Sequence, residues 1–157
     1  MRFIYIICLL VAFAVACQQG SSGAHLTRDQ RWQVYRADLQ TQLGDKYGAP
    51  VPEINEQQLE RGKELYTSLC MFCHGAQGQG DGPTGKSLEV KPSALADTLL
   101  ASYFSEQARL QIIRHGLPGV AMRGWAGFLS EDEIVAVFGY IRTFVHAQSE
   151  DISHADH

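Results

Sequence analysis

The sequence predicts an all-α domain carrying an extra N-terminal helix, and three observations carry that prediction. Apolar residues recur at intervals of three and four along most of the chain, the period of one helix face. Three stretches open on a residue whose side chain can accept from the backbone, with a Gln or Glu three positions later to answer it: Thr27 with Gln30, Asn55 with Gln58, and Ser130 with Glu133. Nothing from residue 55 to 147 alternates apolar and polar residues as a half-buried strand would, and there are no internal repeats. At 157 residues the chain has room for one compact domain and an appendage.

Taken in order, Met1-Arg2 is followed by Phe3 to Ala16, apolar throughout, and then by Cys17-Gln18-Gln19-Gly20. A short positive start, an apolar run and small residues before a cysteine form the layout of a secretory signal over residues 1–16. That run is shorter than the ~20 residues a spanning helix needs, so a membrane-spanning anchor is the second reading. Ala14-Val15-Ala16-Cys17 resembles a bacterial lipobox, departing from it at Ala14, where such boxes more often carry Leu. The resemblance implies that Cys17 becomes the lipidated mature N-terminus. An ordinary signal cut after Ala16 would instead leave a free thiol in an oxidising compartment.

Residues 17–26 are small and polar, the composition of a flexible tether. Residues 27–54 hold a helix and a linker. Trp32, Tyr35, Leu39 and Leu43 fall on one helix face, Gly44 is a natural stop, and Gly48-Ala49-Pro50-Val51-Pro52 is a stiff connection. The helix either packs on its own domain or docks a partner subunit. The main domain, 55–147, opens on the helix begun by Asn55, with Leu59, Gly62, Leu65, Tyr66 and Leu69. A Gly- and Pro-rich loop spans 75–93. Thr98 to His115 reads as helix in two pieces broken near Phe104-Ser105, with Gly116 as its cap. The last helix follows Ser130 through Ile134, Val137, Phe138, Ile141 and Val145, and residues 148–157 read as a disordered tail.

The chemistry is concentrated in Cys70-Met71-Phe72-Cys73-His74. A Cys-x-x-Cys-His run is the attachment signature of c-type haem. Two thiols form thioethers with the macrocycle, and the adjacent histidine supplies the proximal iron ligand. A thioredoxin-type redox pair would need a βαβ setting, which the pattern lacks. A structural zinc site would want four ligands, and the other two cysteines, Cys8 and Cys17, lie in the apolar segment and at its end.

Over about residues 55–147 the chain resembles the class I monohaem cytochromes c, because the attachment motif sits near the front of the domain. Gly78-Gln79-Gly80-Asp81-Gly82-Pro83 and Gly116-Leu117-Pro118-Gly119-Val120-Ala121-Met122 resemble most the small domains attached to or serving terminal oxidases. The resemblance implies the class I cytochrome c fold and one covalent haem c. It implies a crossing of the first and last helices at Gly62 and Tyr66 with Val137 and Tyr140. It also gives Pro83 the part of the loop proline that orients the proximal imidazole.

The sixth iron ligand follows by elimination. Of three methionines, Met1 is in the signal and Met71 is inside the attachment motif, where it cannot cross to the opposite face. Met122 remains, on a loop able to fold over the distal face; the alternative is a gap-filling core methionine. Arg123 follows it, where relatives often have Pro. His115 is the rival ligand, at a helix end where it also suits the helix dipole, while His25, His146, His154 and His157 lie in flanking segments. Trp125 is either a pocket wall whose indole N–H reaches a haem propionate or part of the core. Arg109 and Arg114 are propionate partners or solvated helix-face charges.

The formal charge is −4, and loss of the signal with its Arg2 makes it −5. Such mild acidity argues against nucleic acid, which wants clustered Lys and Arg. No nucleophile–base pair or substrate fingerprint is evident. The expectation is a carrier of single electrons between redox donor and acceptor proteins of a bacterial respiratory chain. It would be periplasmic or on the outer face of the inner membrane, anchored through Cys17. With Gln18 rather than Asp after the cysteine, outer-membrane placement stays open. Two alternatives are the haem subunit of a larger respiratory complex, and a haem enzyme or gas sensor with a detachable Met122.

Overall fold

The structure is a computed structural model that describes residues 26–154. The signal segment, Cys8, Cys17, nearly all of the tether and residues 155–157 lie outside the described residues. Every regular element among the described residues is helical, and extended pairing is confined to an isolated antiparallel bridge between Gly116 and Arg123. The chain divides into two compact units, Met1–Gln33 and Val34–His157.

The described part of the first unit is the opening of helix α1 (Arg28–Leu43). Its start is set locally. Thr27 Oγ1 accepts from the Gln30 N–H at 3.3 Å, and Gln30 Oε1 accepts from the Thr27 N–H at 2.9 Å, so two amides that the helix itself cannot satisfy find partners. The Arg28 guanidinium lies 5.0 Å from the centre of the Trp32 ring, one turn along.

In the second unit α1 continues, with Tyr35 and Leu39 buried. The helix ends at Leu43, and the chain turns through a 3₁₀ segment, Gly44–Gly48. The linker after it is tied down: the Gln107 side-chain amide donates to the Pro50 carbonyl at 2.9 Å. Helix α2 (Glu56–Leu65) starts on Asn55, whose side chain accepts from Gln58 N–H at 2.9 Å while Gln58 answers at 3.0 Å. It runs into the attachment motif and the short helix α3 (Met71–His74). Helices α4 (Thr98–Tyr103) and α5 (Glu106–His115) are the two expected pieces. Ser105 makes the break, since its hydroxyl accepts from Ala108 N–H at 3.1 Å and so begins a new helix.

Helix α6 (Glu131–His154) closes the domain. Ser130 and Glu133 cap its start reciprocally. The end departs from expectation: the tail expected to be disordered from residue 148 is helical through His154. Neither Gly nor Pro occurs after Gly139, so nothing in the backbone interrupts the i to i−4 ladder.

The core is made where α2 crosses α6. Gly62 is buried there, and a Cβ on it would stand 2.0 Å from the Ala136 carbonyl oxygen. Only a residue without a side chain allows this approach. One turn later Tyr66 fills the crossing, its ring 5.5 Å from Tyr140 and 5.0 Å from Phe144 in tilted and edge-on contacts. Leu65, Leu110, Ile113, Ile134, Val137 and Phe138 belong to the same buried cluster. Each such side chain contributes about 1.5–3 kcal/mol by burial.

Candidate haem-attachment site

Helix α2 does not enter the motif as a regular helix. Over Tyr66–Cys70 the turn widens, and the Met71 N–H reaches back five residues to the Tyr66 carbonyl. An inserted wide turn changes the direction in which the next side chains leave the helix, and here the next side chains are the motif. The turn of α3 then carries Phe72, Cys73 and His74 and stops at Gly75, where φ is +82°. Tyr66, buried to 1 % exposure, donates its phenol to the Gly75 carbonyl at 2.6 Å. One tyrosine thus joins the helix crossing to the end of the motif.

Cys70 and Cys73 are both free and half-buried. Burial, reinforced by the nearby Cys73, pushes the Cys70 thiol up to about 11. A disulfide-exchange pair needs the opposite, a thiolate favoured at neutral pH, so this environment does not suit thioredoxin-type chemistry. Among the described residues no cluster of three or more His, Cys, Asp or Glu side chains could hold a metal ion by itself. Among the described residues the two thiols have none of the further ligands a tetrahedral zinc site requires.

His74 supplies the fit to haem. Its Nδ1 lies 3.2 Å from the Ser93 carbonyl oxygen. A carbonyl can only accept, so the proton sits on Nδ1 and Nε2 keeps its lone pair. Burial lowers the imidazole pKa, with the Ser93 carbonyl partly opposing it. The ring is held neutral and oriented, the state a metal-ligating histidine needs. Here the structure corrects an expectation: Pro83 is exposed, and the carbonyl that orients His74 belongs to Ser93. Ser93 has no motif of its own in the sequence. The signal that could have found it is Pro92, whose ring stiffens the chain just before that carbonyl.

The Gly-rich loop packs directly on the motif's backbone. Thr84 N–H donates to Phe72 O at 2.9 Å and Gly80 N–H to His74 O at 2.8 Å. A Cβ on Gly82 would stand 2.5 Å from Phe72 O, so the contact exists because the residue is glycine. The expected run of glycines thus braces the proximal side.

Met122 is half-buried in a loop that leaves α5 and returns to it. Gly116 ends α5 with φ +75°. Gly116 and Arg123 form the antiparallel bridge, and Leu117 N–H donates to Met122 O at 3.0 Å. Trp125 N–H then donates to Ile113 O at 3.0 Å and Ala126 N–H to Arg114 O at 3.1 Å. The rival ligand, His115, is the last residue of α5 and is exposed.

The Trp125 indole is half-buried and packs against the core cluster. Arg123 is exposed, its guanidinium 4.2 Å from the Phe128 ring centre and 5.3 Å from that of Trp125. Arg114 holds the Glu131 carboxylate through Nε at 3.0 and 3.1 Å. Arg109 lies 3.6 Å from Glu106 and stacks over Phe138 at 5.1 Å. Both arginines thus have carboxylate partners within the chain.

Comparison with known proteins identifies the family. Residues 57–141 match the family described as cytochrome c oxidase, cbb3-type, subunit III. Cytochrome c-554(547) of Halothiobacillus neapolitanus is 34 % identical over 85 residues, which cover 52 % of this chain and 91 % of that protein. Among solved structures, a chain of the reducing HAO-like protein complex of Kuenenia stuttgartiensis superposes with a TM-score of 0.51 and 26 % identity. That match covers 81 % of this chain and 66 % of the other, just under two thirds of its length. The chain belongs to the cbb3-type subunit III family of c-type cytochromes. Its fold is the all-α class I cytochrome c fold, and its cofactor is covalently bound haem c.

Proposed function

We propose that this cytochrome transfers single electrons in a bacterial respiratory chain, with its haem iron held between His74 and Met122. The observation that carries the proposal is the state of His74: half-buried, with Nδ1 donating to the Ser93 carbonyl, it keeps the Nε2 lone pair free, and it follows two free thiols in the chain. Haem c supplies the one-electron Fe(II)/Fe(III) couple. The protein's own residues do the rest. Cys70 and Cys73 fix the group covalently. His74 presents a lone pair in a set direction, and the Gly-rich loop keeps that direction from changing. Met122 would supply a thioether as the second protein ligand, which would raise the potential relative to a second imidazole. Trp125, which packs on the core cluster, would reach a propionate only through its indole N–H. Two protein ligands leave little to rearrange when the iron changes charge, which suits a carrier rather than an enzyme.

Spectroscopy of the purified protein tests this reading. A low-spin ferric iron with a methionine–iron charge-transfer band is expected. A high-spin iron that takes up CO or cyanide rapidly would replace the carrier with a haem enzyme or sensor.

The second part of the proposal concerns place. Cys17, following Ala14-Val15-Ala16, is the site of lipidation, and residues 17–26 stand the domain off the outer face of the inner membrane or, with Gln18 next, off the outer membrane. Among the described residues no helix is long and apolar enough to cross a membrane. Fractionation of wild type and Cys17→Ser, with mass spectrometry of the mature N-terminus, tests it. Release of the variant with an unchanged haem spectrum is expected, whereas an unmodified N-terminus at Cys17 would overturn it.

Service as a subunit is the second reading. It is favoured by the matched family's oxidase-subunit name and by the multiprotein complex that contains the structural neighbour. Co-purification of redox partners from solubilised membranes separates it from a freely moving carrier.

A further inference from the structure

The helix added ahead of the cytochrome domain reaches the loop that carries Met122. Tyr35, 8 % exposed, donates its phenol to the Pro118 carbonyl at 2.8 Å. The backbone hydrogen bonds of that loop, such as Leu117 N–H to Met122 O, lie at its neck. Pro118 begins its tip, and being proline it has no N–H with which to anchor itself. Tyr35 and Leu39 from α1, with Leu117 and Pro118 from the loop, line a cleft of about 210 Å³. The phenol bridges a join that is otherwise loosely filled.

We infer that Tyr35 is a positioning residue for Met122: its hydrogen bond to Pro118 holds the loop tip down and so keeps the thioether at the iron. The inference rests on the proposal that Met122 is the distal ligand. A phenol is well suited to the task, since its ring is fixed by burial and its hydroxyl acts at the far end of a rigid lever. Losing the bond lets the loop open more often, which exposes the iron's distal side to a competing ligand.

The test uses the haem-loaded protein as Tyr35→Phe, which keeps the ring and removes the hydroxyl. Imidazole is titrated into the ferric protein, and the loss of the methionine–iron band is followed. Hydrogen exchange at the Leu117 amide is measured alongside. A partly buried hydrogen bond of this kind predicts about 2- to 12-fold tighter apparent imidazole binding and similarly faster exchange. Thr41→Ala is the control, because its hydroxyl bonds only back to Ala37 O within α1 and its loss leaves imidazole binding unchanged. Unchanged imidazole binding and exchange in Tyr35→Phe overturn the inference, as does an equal effect from Thr41→Ala. Met122→Ala separates the two ideas. If it loses the band while Tyr35→Phe behaves as wild type, the ligand assignment stands and the positioning role falls. If it keeps the band, the ligand assignment falls and takes Tyr35's role at the iron with it.

Discussion

The two sides of the proposed iron site are built in opposite ways. The proximal side is a helix end: Cys70, Cys73 and His74 lie within about one turn, closed by Gly75 and Tyr66 and covered by backbone that touches backbone at Gly82. The distal side is a single loop tied to α5 at its neck and to α1 at one phenol. Short-range contacts within one element are hard to open singly, whereas a loop held by a few bonds opens locally at modest cost. Ligand exchange at this iron should therefore occur on the Met122 side, with His74 staying in place.

The largest test of that contrast is to remove the proximal side. Cys70→Ala combined with Cys73→Ala should abolish covalent haem entirely, read by haem staining after denaturing electrophoresis. A stained band would undo the site. Met122→Ala should leave staining at the wild-type level. It should turn the ferric iron high-spin or recruit another ligand, and lower the potential by loss of the thioether, measured by absorption spectra and redox titration.

Gly62→Ala attacks the crossing that supports both sides. With a Cβ 2.0 Å from Ala136 O, the helices must part. A loss of about 1–3 kcal/mol in denaturant unfolding is expected, the usual cost of overpacking. The haem spectrum of the folded fraction should be retained.

The smallest effect belongs to the ion pair of Arg114 and Glu131 beside the loop's neck. Its hydrogen bond to Arg114, ahead of the charge attraction, holds Glu131 below its ordinary value of 4.5, with burial opposing. A depressed carboxylate pKa gives stability that is present above the unfolded-state value and lost as pH falls through the folded one. Arg114→Gln should therefore cost at most about 1 kcal/mol near pH 7, as exposed pairs do. The difference from wild type should fade as the pH drops below about 4.5, measured by urea unfolding at several pH values.

The attachment motif and the haem c it implies were legible in the sequence because that chemistry is local. The motif is contiguous, and three helix starts depend on two residues three apart, at Thr27, Asn55 and Ser130. The crossing at Gly62 and Tyr66 came from the family resemblance, and the close approach of Gly62 to Ala136 accords with it. Pro83 was misassigned for a physical reason. Which carbonyl meets His74 depends on how a loop from Gly75 to Ser93 closes, and no short pattern encodes the end of a long loop.

What the sequence determined by itself, then, is the set of helices, their caps, the haem-attachment motif and the family, all properties of residues within about one turn of each other. The tertiary structure decided the partners that lie far apart along the chain: Ser93 on His74, Glu131 on Arg114, and Tyr35 on Pro118. A helix start is specified by neighbours in sequence, whereas a hydrogen bond between a loop and a distant element exists only after the packing of α2, α5 and α6 has brought the two together. That packing depends on summed apolar burial, which many sequences satisfy and which names no particular polar pair.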